Sequence, residues 1–262
     1  MQTLNERQNE ILTFAKTIGR VGVDELASRF AVTPQTIRRD LNELCERNFM
    51  MRVHGGAVIS SSIENLSYAA RRQIAAESKR AIGLAAASLV PDNSSLFINI
   101  GTTTEEVARA LTPRKDLLVI TNNLNVAQTL YPHPAIKVVI AGGPVRHADG
   151  AVVGGAAVDL IRQFKVDCAV IGVSAIDEDG TLLDFDPLEV NASRAIIENA
   201  RRVVLVADQM KVGRAAPVKL GHMTQIDTFV TDRLLSERLR ALCSASGVEV
   251  RETRPDLPAE PD

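Results

Sequence analysis

The apolar positions change period along the chain. Near the start, Ile11, Leu12, Ala15 and Ile18 recur at helical spacing and stop at Gly19. The short segment DELASRF carries Leu26, Ala27 and Phe30 on one side. After the three residues AVT comes PQTIRRDLNEL, in which Ile37, Leu41 and Leu44 are spaced by four and three and form one apolar stripe. Thr33 has the hydroxyl of an N-cap, and Pro34 takes the first helical position, where its missing N–H costs nothing. NFMMRVHGGAVI alternates poorly but carries two glycines, as a small hairpin would. Residues 1–57 therefore predict one small unit: helices around a three-residue turn, then a hairpin.

Residues 58–70, VISSSIENLSYAA, predict a linker that is partly ordered at most. From Arg71 the pattern changes. An Ala-rich helix over about 75–90 leads to short apolar runs at LFINI, LLVIT, KVVIA, CAVIGVS, VVLVAD and TFVT. Helical stretches separate most of them, notably EEVARAL, LNVAQTL, AVDLIRQF, ASRAIIENA and LLSERLRALC. This alternation predicts a mostly parallel α/β sheet with helices on its faces, over 71–250. The tail, 251–262, has three prolines and several charges and predicts disorder.

Composition narrows the function classes. Hydrophobic residues make up 45% of 262, enough for a real core. Net charge is −2, which argues against a chain that coats DNA through an all-over basic surface but allows one local basic face. Three cysteines at long spacings predict neither a disulfide framework nor a thiolate metal site, and fit a reducing cytoplasm. The four histidines are isolated. There is neither a Walker A motif nor a dinucleotide-binding glycine motif after a strand, so no cofactor is expected. The longest weakly polar run, AIGLAAASLV, is too short for a membrane span of about 20 residues. Trp is absent and aromatics are 3%, which disfavours a base-stacking platform.

Two candidate sites emerge. On the helix after AVT, Gln35, Thr36, Arg38, Arg39 and Asn42 fall opposite the apolar stripe. An amide and two guanidinium groups near a helix start are what major-groove reading uses, since Arg bonds to guanine and Gln to adenine in bidentate fashion. Thr33, Thr36 and the helix start suit a phosphate, and Arg52 and His54 near the hairpin suit the backbone. The alternative is an ordinary solvated helix: up to Gly56 the unit has eight basic and seven acidic residues. Asp40, Glu43 and Glu46 lie in the C-terminal half, against the helix dipole, which favours the DNA reading.

In the larger unit, ligands of a parallel sheet collect at strand carboxyl ends. There stand Gly101, Thr102, Thr103 and Thr104, then Asn122 and Asn123, then Gly142 and Gly143, and then Asp208 with Lys211. Each signal alone is weak, because Thr-rich helix starts are mostly plain caps and Gly pairs mostly turns. Their convergence points to a small phosphorylated, hydroxyl-bearing ligand. In LLDFDPLEV, Asp184 reads as part of a solvated loop before a helix.

LASRF, TIRRDL and HGGA, together with TNNLNVA, DGTLLDFD and RAIIENARRVVLVAD, resemble the DeoR-type bacterial repressors from about Leu4 to Asp232. The resemblance implies a winged helix-turn-helix with Arg38 and Arg39 as the family's paired arginines, bound to a double-stranded operator. It also implies an effector domain of the ribose-5-phosphate isomerase-like fold, binding a phosphorylated sugar or polyol such as glycerol 3-phosphate, which lowers operator affinity. The contacts it implies are Lys79, just before that domain's first helix, Thr102, Thr103, Thr104, Asn122, Gly142, Gly143, Glu189, Asp208 and Lys211. Glu189 would accept hydrogen bonds from ligand hydroxyls. A homo-oligomer follows, because such modules read DNA as symmetric pairs. The chain departs from the family at Asn99, where aspartate is common, at Ala175 for glycine, and at Gln209 and Met210 before Lys211. The first rival is a sugar-phosphate isomerase-like enzyme with an appended winged helix, with Glu189 and Lys211 as its plausible acid–base pair. The second is a winged helix used only for protein contacts.

Overall fold

A computed structural model describes residues 4–18, 20–46, 49–53, 55–59 and 68–253. The chain divides into two units, Met1–Ile74 and Ala75–Asp262.

In the first unit, helix α1 (Glu6–Ile18) precedes a three-residue strand β1 (Arg20–Gly22), helix α2 (Val23–Phe30) and helix α3 (Pro34–Glu46). Strands β2 (Met50–Val53) and β3 (Gly56–Ile59) form the expected hairpin, and β1 adds to it in the antiparallel order β1-β3-β2. The turn between α2 and α3 is the expected AVT, with Ala31 in the left-handed region at φ 50°. Ile11, Ala15, Val21, Leu26, Ile37, Leu41, Leu44, Met50 and Ala57 form one buried core. That core joins the helix stripes to the inner face of the hairpin, which makes the unit a winged helix-turn-helix. The third strand is absent from the sequence reading because three residues cannot show a period of two.

Gly56 is required by a close approach. A Cβ there would lie 1.9 Å from the Val21 carbonyl oxygen on the paired strand. The hairpin's turn also reaches the helices: the Val23 N–H donates to the Gly55 oxygen at 2.9 Å. Of the stretch expected as a linker, Val58 and Ile59 belong to β3, and Tyr68–Gln73 forms helix α4. Residues 60–67 lie outside the described residues.

The second unit opens with helix α5 (Ala76–Ser88) and strand β4 (Ser95–Ile98), followed by α6 (Thr102–Leu111), β5 (Leu117–Thr121), α7 (Leu124–Leu130) and β6 (Ile136–Ile140). A small hairpin, β7 (Val145–Arg146) and β8 (Ala151–Val152), leads to α8 (Gly155–Ile161) and β9 (Val166–Ile171). Then come β10 (Ala175–Ile176), β11 (Thr181–Asp184), α9 (Pro187–Glu198), β12 (Ala200–Val206) and β13 (Val218–His222). Strand β14 (Thr228–Thr231), helix α10 (Glu237–Ala245) and strand β15 (Glu249–Glu252) complete it.

The main sheet has seven strands in the order β15-β14-β12-β9-β4-β5-β6, paired in parallel throughout. Both faces are covered, as in parallel sheets generally. Phe97 points into a core with Val190, Ala195, Leu205, Phe229 and Leu239. Its neighbours Leu96 and Ile98 point to the other face, against Ile82, Val107, Leu111 and Val126. The chain runs from β4 outward through β5 and β6, then resumes at β9 on the opposite side of β4. The gap between the carboxyl ends of β4 and β9 is thus the topological switch point, where such sheets leave a crevice.

All six apolar runs lie in or overlap main-sheet strands, with ends shifted by a few residues. The seventh strand, β15, reaches Glu252, two residues into the stretch expected as tail. Residues 254–262 lie outside the described residues. The antiparallel sheet β10-β11-β13 and the β7–β8 hairpin have no clear sequence signal, because strands of two to five residues on short turns show little periodicity.

Candidate functional site

In α3 the division of faces follows the sequence spacing. Ile37, Leu41 and Leu44 are fully buried, while Gln35, Arg38, Arg39 and Asn42 are exposed. Thr33 caps the helix: its Oγ1 accepts from the Thr36 N–H at 3.2 Å and lies 2.9 Å from the Thr36 hydroxyl. Arg39 leans towards Glu43 at 3.3 Å, yet its side chain stays 83% exposed. An exposed pair one helical turn apart is worth about 0.5 kcal/mol at most, too little to hold the guanidinium against a better anion.

The acidic residues of α3 are placed differently from the expectation. Asp40 is buried, and its Oδ2 accepts from Arg7 Nε of α1 at 2.5 Å. That bond raises the Arg7 pKa above its ordinary value. Glu43 Oε2 accepts from Gln8 Nε2 at 2.7 Å. These acids anchor α1 on α3, so their position reflects packing, and the dipole argument for DNA reading loses its force.

Arg52, expected at the phosphate backbone, turns to α3. Its Nη2 donates to Asn42 Oδ1 at 2.6 Å and approaches the Arg38 oxygen at 3.5 Å. Strand β2 is thereby braced against the helix, and Asn42 and Arg52 meet each other. His54 lies outside the described residues.

In the second unit most of the expected residues stand at or just after the carboxyl ends of β4, β5, β6 and β12, on either side of the switch point in the strand order. Gly101, with φ +150°, turns β4 into α6 and presents Thr102 and Thr103 at the helix start. Thr104 is fully buried, and its hydroxyl faces the carbonyl oxygens of Asn99 and Gly101 at 2.9 and 2.8 Å, so its proton serves the turn. Asn99 links the two strands of the switch point: its Oδ1 accepts from the Gly172 N–H at 3.0 Å, and its Nδ2 donates to Ser193 Oγ on α9 at 3.2 Å. The amide fills both roles, accepting with its oxygen and donating with its nitrogen.

At the end of β5, Asn122 is buried and its Nδ2 donates to the Val152 oxygen at 3.2 Å. Its Oδ1 is buried without a hydrogen-bond partner, a condition that costs about 1–3 kcal/mol. Asn123 caps α7 instead, accepting from Asn125 and Val126. Gly142 and Gly143 follow β6. Gly143 has φ +143°, and a Cβ there would stand 3.0 Å from the Val153 oxygen, so glycine is required; Gly142 meets no such neighbour.

Asp208 is buried at the end of β12 and caps the 3-10 turn Gln209–Lys211, accepting from the Met210 N–H at 3.1 Å. Lys211 closes that turn, half-buried. Lys79 corrects its expectation: it stands inside the first turn of α5, not before it, and is 4% exposed. Helical geometry begins at Ala76, after Ala75 in the left-handed region, and carries Lys79 inward. Asp184, expected on a solvated loop, is also buried, accepting from Ser174 Oγ at 2.9 Å and the Phe185 N–H at 2.7 Å.

Glu189 sits in the first turn of α9, where its Oε2 accepts from Arg146 Nη2 at 2.7 Å. Arg146 carries no motif in the sequence, and nothing in PVRHAD marks it. The same holds for Glu105, buried in the first turn of α6 and accepting from Asn123 Nδ2 and Asn125 Nδ2 at 3.3 and 3.1 Å. Among the described residues no cluster of His, Cys, Asp and Glu fits a metal ion, and no helix is long and apolar enough to cross a membrane.

Residues 7–63 match the family model of the DeoR-like helix-turn-helix domain, and residues 74–233 match the DeoR C terminal sensor domain. The chain is similar to the glycerol-3-phosphate regulon repressor of Escherichia coli (strain K12), at 46% identity over 87% of this chain and 90% of that one. It is also similar to the HTH-type transcriptional repressor CsqR of the same organism, at 38% identity over 95% of each chain. A solved structure of D-ribose-5-phosphate isomerase in complex with phospho-erythronic acid aligns with a TM-score of 0.40, 15% identity, 52% of this chain and 54% of that one. A likeness of that size carries no weight for function.

Proposed function

The chain belongs to the DeoR family and is a transcriptional repressor, and from that premise we propose that α3 reads an operator while the second unit senses a phosphorylated polyol that loosens the hold. The observation that carries the first half is the exposure of Gln35, Arg38 and Arg39 on the N-terminal half of a helix whose opposite stripe is buried. That half of the second helix meets base edges in helix-turn-helix proteins. Thr33, Thr36 and Asn42 flank these groups, and Arg52 holds the wing in register with them.

Support for the second half lies at the switch point. The start of α6 offers N–H groups and the hydroxyls of Thr102 and Thr103 to a phosphate, and Lys211 adds charge. Asn122 Oδ1 is a buried acceptor without a partner, and a ligand hydroxyl would satisfy it. Glu189 serves a second hydroxyl, and Gly142 allows close approach. Glycerol 3-phosphate is the effector of choice, by similarity to the repressor named for its regulon. We assign DNA binding to the first unit, and effector binding with assembly into a homo-oligomer to the second; two copies would read two operator half-sites.

The test is fluorescence anisotropy of the full chain on an operator duplex, with and without glycerol 3-phosphate. A loss of affinity by about 5–150-fold on adding the compound is expected, the span of a coupling of about 1–3 kcal/mol. No change with glycerol 3-phosphate or related phosphorylated polyols would remove the sensing half. Equal affinity for every duplex would remove the operator half.

A further inference from the structure

Arg146 joins two separate walls of the crevice. It lies on β7, in the loop that follows Gly142 and Gly143. Its Nε and Nη2 donate to Asp149 Oδ1 and Oδ2 at 2.9 and 2.8 Å, within its own hairpin. Its Nη1 donates to Asp186 Oδ2 at 2.5 Å and its Nη2 to Glu189 Oε2 at 2.7 Å, both at the start of α9. The hairpin is also stitched to the end of β5: the Val152 N–H donates to the Asn122 oxygen at 2.8 Å, and the Leu124 N–H to the Gly150 oxygen at 3.0 Å. The hairpin is thus fixed to the strand end on one edge and clasped to α9 by a guanidinium on the other.

The electrostatics make the clasp specific. The carboxylates of Asp149, Asp186 and Glu189 converge on one cation, with side chains 3%, 29% and 12% exposed. The hydrogen bonds and charges of Asp149 and Glu189 raise the Arg146 pKa above its ordinary value against the cost of its burial. Without the guanidinium, like charges would face one another in a partly dry setting and drive Glu189 away. A lysine can supply the charge but not the planar fork that spans two walls.

We infer that Arg146 is a positioning residue for effector selectivity: it aims the Glu189 carboxylate at the ligand's hydroxyls and holds the Gly142–Gly143 loop against α9. The inference rests on the proposed reading of the strand ends as a phosphorylated-polyol site. On that reading the phosphate goes to the start of α6 and Lys211, away from the clasp. Losing the clasp then removes hydroxyl recognition more than phosphate recognition.

Calorimetry on the full chain, with glycerol 3-phosphate and inorganic phosphate as separate probes, tests this. The unaltered chain should prefer glycerol 3-phosphate. Arg146→Gln should shrink the ratio of the two affinities by about ten-fold or more, the size of one charged hydrogen bond, and Arg146→Lys should fall between. A ratio equal to that of the unaltered chain, or a parallel fall in both affinities, would show that Arg146 supports the fold and sets no selectivity. Asp186→Asn, which weakens a single contact, carries the same test if Arg146→Gln does not fold. An unaltered chain that binds neither probe would overturn the site reading itself and the inference with it, an outcome separable from the loss of preference in the variants alone.

Discussion

Neighbouring residues of one motif carry different burdens. In the threonine run after Gly101 all three residues are buried; the Thr104 hydroxyl lies on backbone oxygens, while Thr102 and Thr103 form the helix start. Thr104→Val should therefore cost about 1–2 kcal/mol of stability, read from denaturant midpoints, while Thr103→Ala should cost less and blunt the effector response. Gly56 is bounded by the Val21 oxygen, so Gly56→Ala should destabilise the first unit by about 1–3 kcal/mol, the usual cost of overpacking. Burial pushes the Cys168 thiol from 9.0 up to about 11. A folded value above the unfolded one means that this contribution to stability is full below about pH 9 and is lost as pH rises towards 11. Denaturation midpoints from pH 7 to 11 should fall along that window, and less steeply in Cys168→Ala. The threonine run and the glycines were visible as residue types. Which threonine hydroxyl closes on the backbone was not, because that depends on how the turn after β4 folds back on itself.

At the scale of elements, α3 shows the clearest agreement between pattern and packing. Its stripe is the buried one, its cap is Thr33, and its exposed face carries the paired arginines. Replacing Arg38 and Arg39 together by alanine should abolish operator binding and leave the circular dichroism and melting temperature of the unit nearly unchanged. Unchanged footprinting would reject the helix as the reader. Leu41→Ala should do the opposite, costing about 2–5 kcal/mol through a cavity in a core that α1, α2 and the hairpin share. The acids of α3 were legible as acids, but their partners Arg7 and Gln8 lie more than thirty positions away in the chain. No local rule pairs residues at that distance. The brace from Arg52 to Asn42 spans only ten positions, but it joins a strand to a helix, and no periodicity within one element predicts such a contact.

For the whole molecule, the two units have separate cores, with Ile11 to Ala57 in one and residues beyond Ile74 in the others. Each should unfold as its own cooperative step. Ligands that bind only the folded form raise the transition of the unit they bind. Differential scanning calorimetry should show operator DNA raising one transition and glycerol 3-phosphate the other; a single transition shifted equally by both would count against the division. Operator affinity should fall steeply with salt if phosphates are engaged. The overall order, a small helical unit followed by alternating strands and helices, was readable because each period is a local property. The strand order was not, and with it the switch point between β4 and β9.

Sequence alone determined most of the helices and six of the seven main-sheet strands, which face of α3 is apolar, and which residue types end those strands, because these follow from spacing along one chain. Tertiary structure decided which ends meet. It turned Thr104, Asn99 and Asp184 inward, gave Asp40 to Arg7, and brought Arg146 to Glu189 across forty-three positions. Those pairings depend on distances in space, and electrostatic attraction between charged side chains acts over ångströms, whatever their separation along the backbone.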